Sequence, residues 1–411
     1  MSDKFQNGLH LPTIASQQTG RAICRWLFEW ATLVLGWTDL DKSGSKWDNH
    51  VATGSDGQSV SGYVNRFSIG TDAHDFSGSD VGAYLTIPGI TPVGFAGIYR
   101  ITRVLTTKIV EIDYQYSVHC AGIPCNLTGL NWYLWRNEDA YLPDATDWFV
   151  LVGTGTTGSG YSFHLRVEVD AYGTNTLGLP KFQLSPFASW DDTGHAWTDS
   201  RYISELAWAN YYSSIDNQPS ARIWAAGDTD RMVLMVRFER HGETYDNGYY
   251  CWHFLYLGEI DTFHASQDAK PCVLWEGSNY CNIDPGEDDA RILGYDAQGN
   301  LNGRGKWLTY DDVTTVDGHL MLAHVPTNDN LHWMSQRRRR YSALTGDRLI
   351  SDLICECRDS SYQELRGKLR RVWATGREHA RVEPFGLNNE YLHLIGGMTI
   401  PWNGSRCFYV R

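Results

Sequence analysis

The sequence predicts a mainly β protein, built from β-sandwich or barrel-like modules with an N-terminal amphipathic helix and few other short helices. Three strand-like runs follow one another at residues 80–87, 97–104 and 109–112, and β-branched and aromatic residues dominate each run. The chain also contains 17 Trp and 40 Gly, a composition that favours an all-β chain with many turns. The three runs therefore predict a β-meander that buries one face.

Other segments repeat this pattern along the chain. Residues 161–169 alternate between apolar and polar side chains, which predicts a strand with one buried face. Residues 231–239 and 249–257 are predicted to pair as a hairpin, and the meander's third strand is predicted to continue through residue 118. A final apolar run at 407–410 predicts that the C-terminus is held in a sheet.

At 411 residues the chain is longer than one hydrophobic core usually serves. Changes in composition predict four segments. They are an N-terminal arm and helix over residues 1–55, the β-meander module over 56–125, a large β domain with long loops over 126–345, and a C-terminal segment over 346–411 that returns to a sheet.

The predicted helix lies near the N-terminus. Apolar residues recur there at three- and four-residue spacing from Ile23 to Val34, and Gly36 stands where a helix would end. Two interpretations stay open. The helix docks on a partner subunit through Trp26 and Trp30, or it packs on the chain's own sheet, which is the more common arrangement.

Cysteine usage and hydropathy give expectations about compartment. The nine cysteines are an odd number and are scattered, so buried reduced thiols in a cytoplasmically assembled protein are expected, with a zinc site as the alternative. No secretory signal peptide is evident at the N-terminus. The longest apolar run, 22–36, is interrupted by Arg25 and Glu29 and is too short to cross a bilayer. We therefore expect no membrane partner.

The formal net charge of −13 argues against a general nucleic-acid coat, because phosphate binding depends on clustered Lys and Arg. Two basic runs stand out against this charge, one at 337–340 and one at 364–371. Each is either a solvated loop or a contact with an acidic neighbouring subunit or with packaged DNA. The candidate interface residues are Trp26, Trp30, Arg337, Arg338, Arg339, Arg340, Arg370 and Arg371.

The sequence contains no recognisable catalytic or cofactor motif. G-x-S-x-G, H-E-x-x-H and Walker sequences do not occur, and adjacent acidic pairs such as Asp191 and Asp192 do not predict facing glycosidase carboxylates. The acidic turn that contains His74, Asp75 and Asp80 lacks the calcium-loop spacing and is predicted to be solvated. We expect neither an enzyme nor a bound cofactor or metal.

Two groups of motifs resemble a known family. The segment D-V-G-x-Y-L-T-I at 80–87, with G-I-Y-R-I at 97–101 and the Val-rich strand after it, resembles a β module of virion structural proteins of tailed bacteriophages. The motifs L-R-G-x-L at 365–369 and L-x-G-G-x-T-I-P-W-N-G-S at 394–405 are similar to the ends of such proteins. The resemblance implies a tail, baseplate or neck subunit that is assembled in the host cytoplasm. Its expected partners are other virion proteins and copies of itself.

An alternative function is binding of a receptor or carbohydrate at a tail tip, with a host surface glycan as the partner. Aromatic side chains in turn-rich segments can stack on sugars, although core or interface positions are the more common fate of such residues. The aromatic residues concerned are Trp132, Tyr133, Trp135, Trp190, Trp197, Trp208, Tyr211 and Tyr212.

Overall fold

The computed structural model describes residues 4–11, 18–63, 65–70, 74–88, 96–113, 127–154, 162–169, 180–185, 188–199, 203–207, 220–239, 251–263, 272–279, 306–308, 315–322, 350–358, 363–375, 385–387, 390–395 and 407–410. The protein is mainly β, which confirms the predicted fold class. Helix α1 spans Gln18–Glu29 and continues as a π-helical segment, Trp30–Leu35. A 3₁₀ turn covers Gly78–Asp80.

Strands alternate with turns through most of the described chain. Strands β1 to β9 are Lys4–Leu11, Thr38–Lys42, Ala52–Ser59, Arg66–Ser68, Tyr84–Ile87, Gly97–Thr106, Ile109–Ile112, Leu130–Trp135 and Trp148–Thr154. Strands β10 to β17 are Ser162–Val169, Pro180–Ser185, Trp190–Asp191, Ala196–Trp197, Ser204–Ala207, Ser220–Gly227, Arg231–Glu239 and Cys251–Thr262. Strands β18 to β25 are Cys272–Asn279, Lys306–Leu308, Thr315–Leu322, Ile350–Arg358, Gln363–Thr375, Phe385–Leu387, Glu390–Ile395 and Cys407–Val410.

The chain divides into two compact units. Unit 1 comprises Met1–Val152, Arg166–Phe182 and Ala207–Thr229, and unit 2 comprises Gly153–Leu165, Gln183–Leu206 and Asp230–Arg411. The predicted segment boundary after residue 55 falls inside β3. The boundary after residue 125 falls between β7 and β8, which belong to one barrel.

Unit 1 contains a closed six-stranded barrel in the order β3-β4-β7-β6-β5-β8, and its neighbouring strands are antiparallel. Consecutive strands β5, β6 and β7 pair in sequence, so the predicted meander is confirmed. Strand β7 ends at Ile112, and the predicted continuation to residue 118 lies outside the described residues.

Large apolar side chains fill the barrel, as is typical of barrels with few strands. Alternate residues of the wall strands supply them, because successive side chains of a strand point to opposite faces. This buried cluster comprises Phe67, Ile69, Phe76, Ala83, Leu85, Ile87, Tyr99, Ile101, Val110, Ile112, Leu130, Trp132 and Leu134.

Glycines make room for the largest of these rings. The register of β3 against β8 shifts between Gly54 and Gly57. A Cβ atom on Gly57 would lie 2.4 Å from Cζ of Phe67, and one on Gly54 would lie 2.6 Å from Nε1 of Trp132. Glycine in a strand often marks such a bulge or close approach, and here it lets the wall pass over the interior rings.

The outer face of the barrel is also covered. The rings of Tyr84 and Trp135 stack with their centroids 4.4 Å apart, and both side chains are buried. Nε1 of Trp135 donates to Oγ1 of Thr86 at 3.2 Å. Above this layer, the guanidinium of Arg25 from α1 lies 5.8 Å from the ring centroid of Trp135. Helix α1 therefore packs within its own unit.

Unit 2 is organised around β17, which changes partners along its length. Its first part pairs with β16 and β18, and residues 260–262 pair with β22. The change occurs at Gly258, where φ is +119°. The β16–β17 hairpin confirms the predicted pairing, and β25 pairs with β22 and β24, as predicted for the C-terminal strand.

Candidate functional site

A buried ion pair connects α1 to the loop before the barrel. Arg25 is 0% exposed and Glu29, one helical turn later, is 1% exposed. Nη2 of Arg25 donates to Oε1 of Glu29 at 2.6 Å. Nη1 donates to the carbonyl oxygens of Lys46, at 2.6 Å, and Trp47. One guanidinium therefore fixes both the helix and the loop.

His50 completes this cluster. Its Nε2 lies 2.7 Å from Oε1 of Glu29, and its ring packs on Tyr133 with centroids 5.1 Å apart. Nη2 of Arg25 lies 3.1 Å from the same ring nitrogen, so the imidazole contacts both members of the ion pair. Burial lowers the pKa of Arg25, while the charges of Glu29 and Asp48 act in the opposite direction.

Two predicted interface residues lie on the same helical segment as this cluster. Trp26 and Trp30 are both 0% exposed, and their rings stack with centroids 5.6 Å apart. They pack in the interior of unit 1 and offer no indole surface to a partner subunit. Their predicted amphipathic face is real, but the chain itself covers it.

Asp80, in the resemblance segment, forms a second buried polar cluster. Its Oδ1 accepts from Nη2 of Arg136 at 2.8 Å. Its Oδ2 accepts from the backbone N–H of Ser77 at 2.9 Å and lies 3.2 Å from Nε2 of His74. The prediction of a solvated turn is wrong for Asp80, which is 0% exposed. Its carboxylate caps the 3₁₀ turn and pairs with Arg136, the residue that follows β8.

The environment of Asp80 predicts acid sensitivity of unit 1. Burial alone would raise its pKa, but hydrogen bonds from Arg136, Ser77 and His74 lower the pKa below the usual value. A carboxyl with a lowered folded-state pKa stabilises the fold above its unfolded pKa, and this contribution is lost as pH falls through the folded pKa. We expect urea unfolding to show stability decreasing with acidification below about pH 4.

Asp80→Asn is the matched test of that expectation. The variant should be less stable at pH 7 and should lose less stability than the wild type between pH 5 and the acid limit of about pH 2. Asp75→Asn is the control, because Asp75 is exposed and pairs only at the surface with Lys108. Equal acid dependence in the wild type and Asp80→Asn would contradict the assignment.

The predicted basic run at 364–371 lies in β22 rather than in a loop. Arg370 donates from Nη1 to Oε2 of Glu259 at 2.7 Å and from Nε to Oδ1 of Asp261 at 2.9 Å. Burial lowers the pKa of Arg370, but the hydrogen bond to Asp261 and nearby negative charge raise it overall. Its charge is therefore bound within unit 2.

The other predicted basic interface residues are Arg371 and the run at 337–340. Arg371 is half-buried and adopts a φ of +55° in β22. Arg337, Arg338, Arg339 and Arg340 lie outside the described residues. Their predicted contact with an acidic neighbour stays a prediction.

A strained residue lies in the turn that leads into β9. Thr146 has a φ of +73°, which is unfavourable for a β-branched side chain. Its N–H donates to the carbonyl of Val169 at 2.9 Å, and that bond holds the turn in place. We expect Thr146→Asn to stabilise unit 1 by about 1 kcal/mol, because asparagine tolerates this conformation.

Thermal or urea unfolding measures that effect. Thr53→Asn is the control, since Thr53 is an exposed residue of β3 with ordinary strand geometry, and it should lose stability by up to about 1 kcal/mol. Destabilisation by Thr146→Asn would mean that the threonine side chain contributes more than its backbone strain costs.

Unit 2 carries a surface group of aromatic and polar side chains. Trp190 and Trp197 face each other across the β12–β13 hairpin, with ring centroids 5.4 Å apart. Nε1 of Trp197 donates to Oε1 of Gln183 at 2.9 Å, and Nε2 of Gln183 donates to Oε2 of Glu205 at 2.9 Å. The ring of His164 lies 6.5 Å from that of Trp197.

This group, Trp197, Gln183, Glu205 and His164, is called the Trp197 cluster. All four side chains are partly exposed, and Trp190 beneath them is buried. The sequence indicated Trp190 and Trp197 only. The sequence did not indicate Gln183 or Glu205. Each is a single polar residue in a separate strand, β11 or β14, and such residues give no signal until the position of the strands is known.

The other predicted sugar-stacking residues are buried, half-buried or outside the described residues. Trp132 and Trp135 are fully buried in and around the barrel, so their rings cannot meet a ligand, and Tyr133 is half-buried beside His50. Trp208, Tyr211 and Tyr212 lie outside the described residues. Among those that the structure describes, Trp197 is a partly exposed indole with a side-chain amide as its hydrogen-bond partner.

Within the described ranges, no group of three His, Cys, Asp or Glu side chains is arranged to hold a metal ion. No helix in the described part of the chain is long and apolar enough to span a bilayer. Cys24 is fully buried, and burial raises the pKa of its thiol. The sequence matches no protein-family model and no curated protein sequence.

Proposed function

We propose that this protein is a structural subunit of a tailed-bacteriophage virion, in the tail, baseplate or neck. The observation that carries the proposal is the barrel. The segment that resembles the virion β module supplies β5, β6 and the preceding turn of a closed barrel with a filled interior. It acts through assembly with other virion proteins and with copies of itself.

Barrel geometry supports an assembly role. Closure gives each wall strand a paired neighbour on both sides, which limits the open strand edge that the described barrel offers to unspecific pairing. Large apolar side chains occupy the interior, and buried polar contacts such as that of Asp80 with Arg136 stiffen the wall. A rigid body of this kind is suited to contacts through its outer surface and loops, and a specific interface buries about 1,200–2,000 Å² in total.

Two measurements test the assembly function. Sedimentation velocity of the purified chain across a concentration series should show oligomers larger than the 46.6 kDa monomer. Antibodies raised against the recombinant chain should label purified phage particles in electron micrographs. A chain that stays monomeric alone and with candidate virion proteins, and is absent from particles, would refute the proposal.

A second function is favoured by the Trp197 cluster, namely binding of a host surface glycan at a tail tip. A partly exposed indole beside an amide and a carboxylate is the combination that proteins use to stack a sugar ring and bind its hydroxyls. Gln183 is held between Trp197 and Glu205, so its orientation is fixed before a ligand arrives.

A glycan array with the purified chain tests this second function. Trp197→Ala should abolish binding while oligomerisation is retained. Tyr63→Ala should not abolish binding, because Tyr63 is an exposed aromatic residue (49%) that belongs to unit 1 and not to the Trp197 cluster. Binding that survives Trp197→Ala, or absence of binding by the wild type, would leave assembly as the single proposed function.

A further inference from the structure

Strand β1 occupies a groove in unit 1 that is built from distant parts of the chain. On one side it pairs antiparallel with β15, from Lys4 opposite Gly227 to Leu11 opposite Ala221. Leu9 and Leu11 are fully buried there. The β15 edge of the groove therefore recognises the strand through its backbone and through apolar side chains.

The opposite side of the groove is formed by the barrel. Nε2 of Gln6 donates to the carbonyl of Ile98 at 2.8 Å, and Oε1 of Gln6 accepts from the N–H of Ile98 at 3.1 Å. Oη of Tyr84 donates to the carbonyl of His10 at 3.1 Å. The two bonds of Gln6 are those that a neighbouring strand would otherwise form.

Gln6 bonds to a peptide group of the barrel wall. Ile98 lies opposite Thr86 of β5, and among the described residues the pairing of β6 with β7 begins at Ile101. The N–H and the carbonyl of Ile98 bond to the side-chain amide of Gln6 at this level of the wall. Because a buried backbone group needs a hydrogen-bond partner, the Gln6 amide contributes directly to the recognition of β1.

None of these contacts depends on the covalent link between β1 and the rest of the same chain. We propose that the groove between β15 and the barrel is a strand-acceptor site, and that in the assembled form it receives residues 4–11 of a second copy. Exchange of an identical strand preserves each contact and is a low-cost route to association. This inference rests on the proposed assembly function, because close packing of copies supplies the high effective concentration that exchange requires.

The exchange has a geometric limit that follows from chain length. Six residues, 12–17, separate β1 from α1 in the sequence. Six residues span at most about 20 Å when fully extended. The donor copy must therefore place the start of its α1 within that distance of the acceptor groove, which restricts exchange to directly adjacent subunits.

Cross-linking between two differently tagged copies tests the exchange. His10 and Arg222 are directly paired across β1 and β15, and both are half-buried. One copy carries His10→Cys and the other carries Arg222→Cys, and the two full-length chains are co-expressed and oxidised. Exchange predicts a disulfide-linked heterodimer on a non-reducing gel, because paired strand residues lie within disulfide reach.

Two controls define the outcome. In the first, one chain carries both His10→Cys and Arg222→Cys, which shows that this pair can form a disulfide in the groove. In the second, two differently tagged wild-type copies are co-expressed, which measures the background of heterodimer that the native cysteines form. Absence of heterodimer in material that sediments as oligomers would overturn exchange and leave the assembly function standing. Absence of both heterodimer and oligomers would overturn both proposals.

A peptide measurement gives a second, independent readout on the full-length chain. A synthetic peptide of residues 3–12 is added to the lysate of the co-expressed cysteine variants before oxidation. It should compete with the exchanged strand and therefore reduce the yield of heterodimer. The same peptide with Gln6→Ala should need about a tenfold higher concentration for equal competition. A loss of about 1.4 kcal/mol in binding free energy corresponds to that factor. Equal potency of the two peptides would contradict the recognition role of Gln6.

Discussion

Replacing Gly258 by alanine is expected to destabilise unit 2 by about 4 kcal/mol, an exceptional loss for one methyl group. The φ of +119° is a conformation that side chains other than glycine rarely adopt. An added Cβ would also lie 2.4 Å from the carbonyl oxygen of Asp230 and 2.6 Å from Cα of Arg231. Backbone atoms of the adjacent strand cannot move aside as a flexible side chain would.

Urea unfolding measures this loss, with circular dichroism following the sheets. Gly62→Ala is the matched control, because Gly62 also has a positive φ, +78°, but nothing lies within 4 Å of its added Cβ. That control should cost only about 1–2 kcal/mol, from backbone conformation alone. Equal losses in the two variants would mean that strand β16 shifts to accommodate the methyl group.

Arg25→Met is expected to destabilise unit 1 by about 3–5 kcal/mol. The substitution leaves Glu29 as a buried carboxylate without its guanidinium, which is costly in a low-dielectric interior. It also removes the donor for the carbonyl oxygens of Lys46 and Trp47. The loop before the barrel should therefore loosen together with the helix.

A double variant separates the two causes. Arg25→Met with Glu29→Leu should recover a large part of the loss, because the isolated buried charge is then removed. Lys46→Met is the surface control, since its ion pair with the exposed Asp144 should contribute no more than about 1 kcal/mol. A double variant as unstable as Arg25→Met alone would assign the loss to the loop carbonyls instead.

Local periodicity made the secondary structure predictable. The three- and four-residue spacing of apolar side chains predicted α1, and Gly36 ends the helical segment with a φ of +81°, as its position suggested. The π-helical form of residues 30–35 carried no such signal. Two-residue alternation likewise predicted β10, and two strand-like runs on either side of glycine-containing turn signals predicted the β16–β17 hairpin.

Barrel closure could not be predicted in the same way. It requires β3 to pair with β8, where Ala52 lies opposite Leu134, and the intervening residues contain the other four wall strands. Sequence patterns show which face of a strand is buried but not which strand covers it. For this reason the predicted module stopped at residue 125, before the strand that closes the barrel.

The same limit applies to the candidate site residues. Trp26 and Trp30 lie on the apolar face of α1, and a sequence cannot distinguish a face covered by its own chain from one covered by a partner. Asp80 looked solvated because its cationic partner, Arg136, lies 56 residues away in the chain. Gln6 gave no signal, since its partner Ile98 is 92 residues away.

The change of partners along β17 sets an order of events during synthesis. Pairing of β17 with β16 and β18 uses neighbouring stretches of chain, so it can form soon after residue 279 is made. Pairing of Ile260 with Leu369 must wait until β22 has been synthesised. At roughly 5–20 residues per second, that interval lasts on the order of 5–20 seconds. During it, residues 260–262 at the end of β17 await their final partner, so this short segment is open to mispairing on the ribosome.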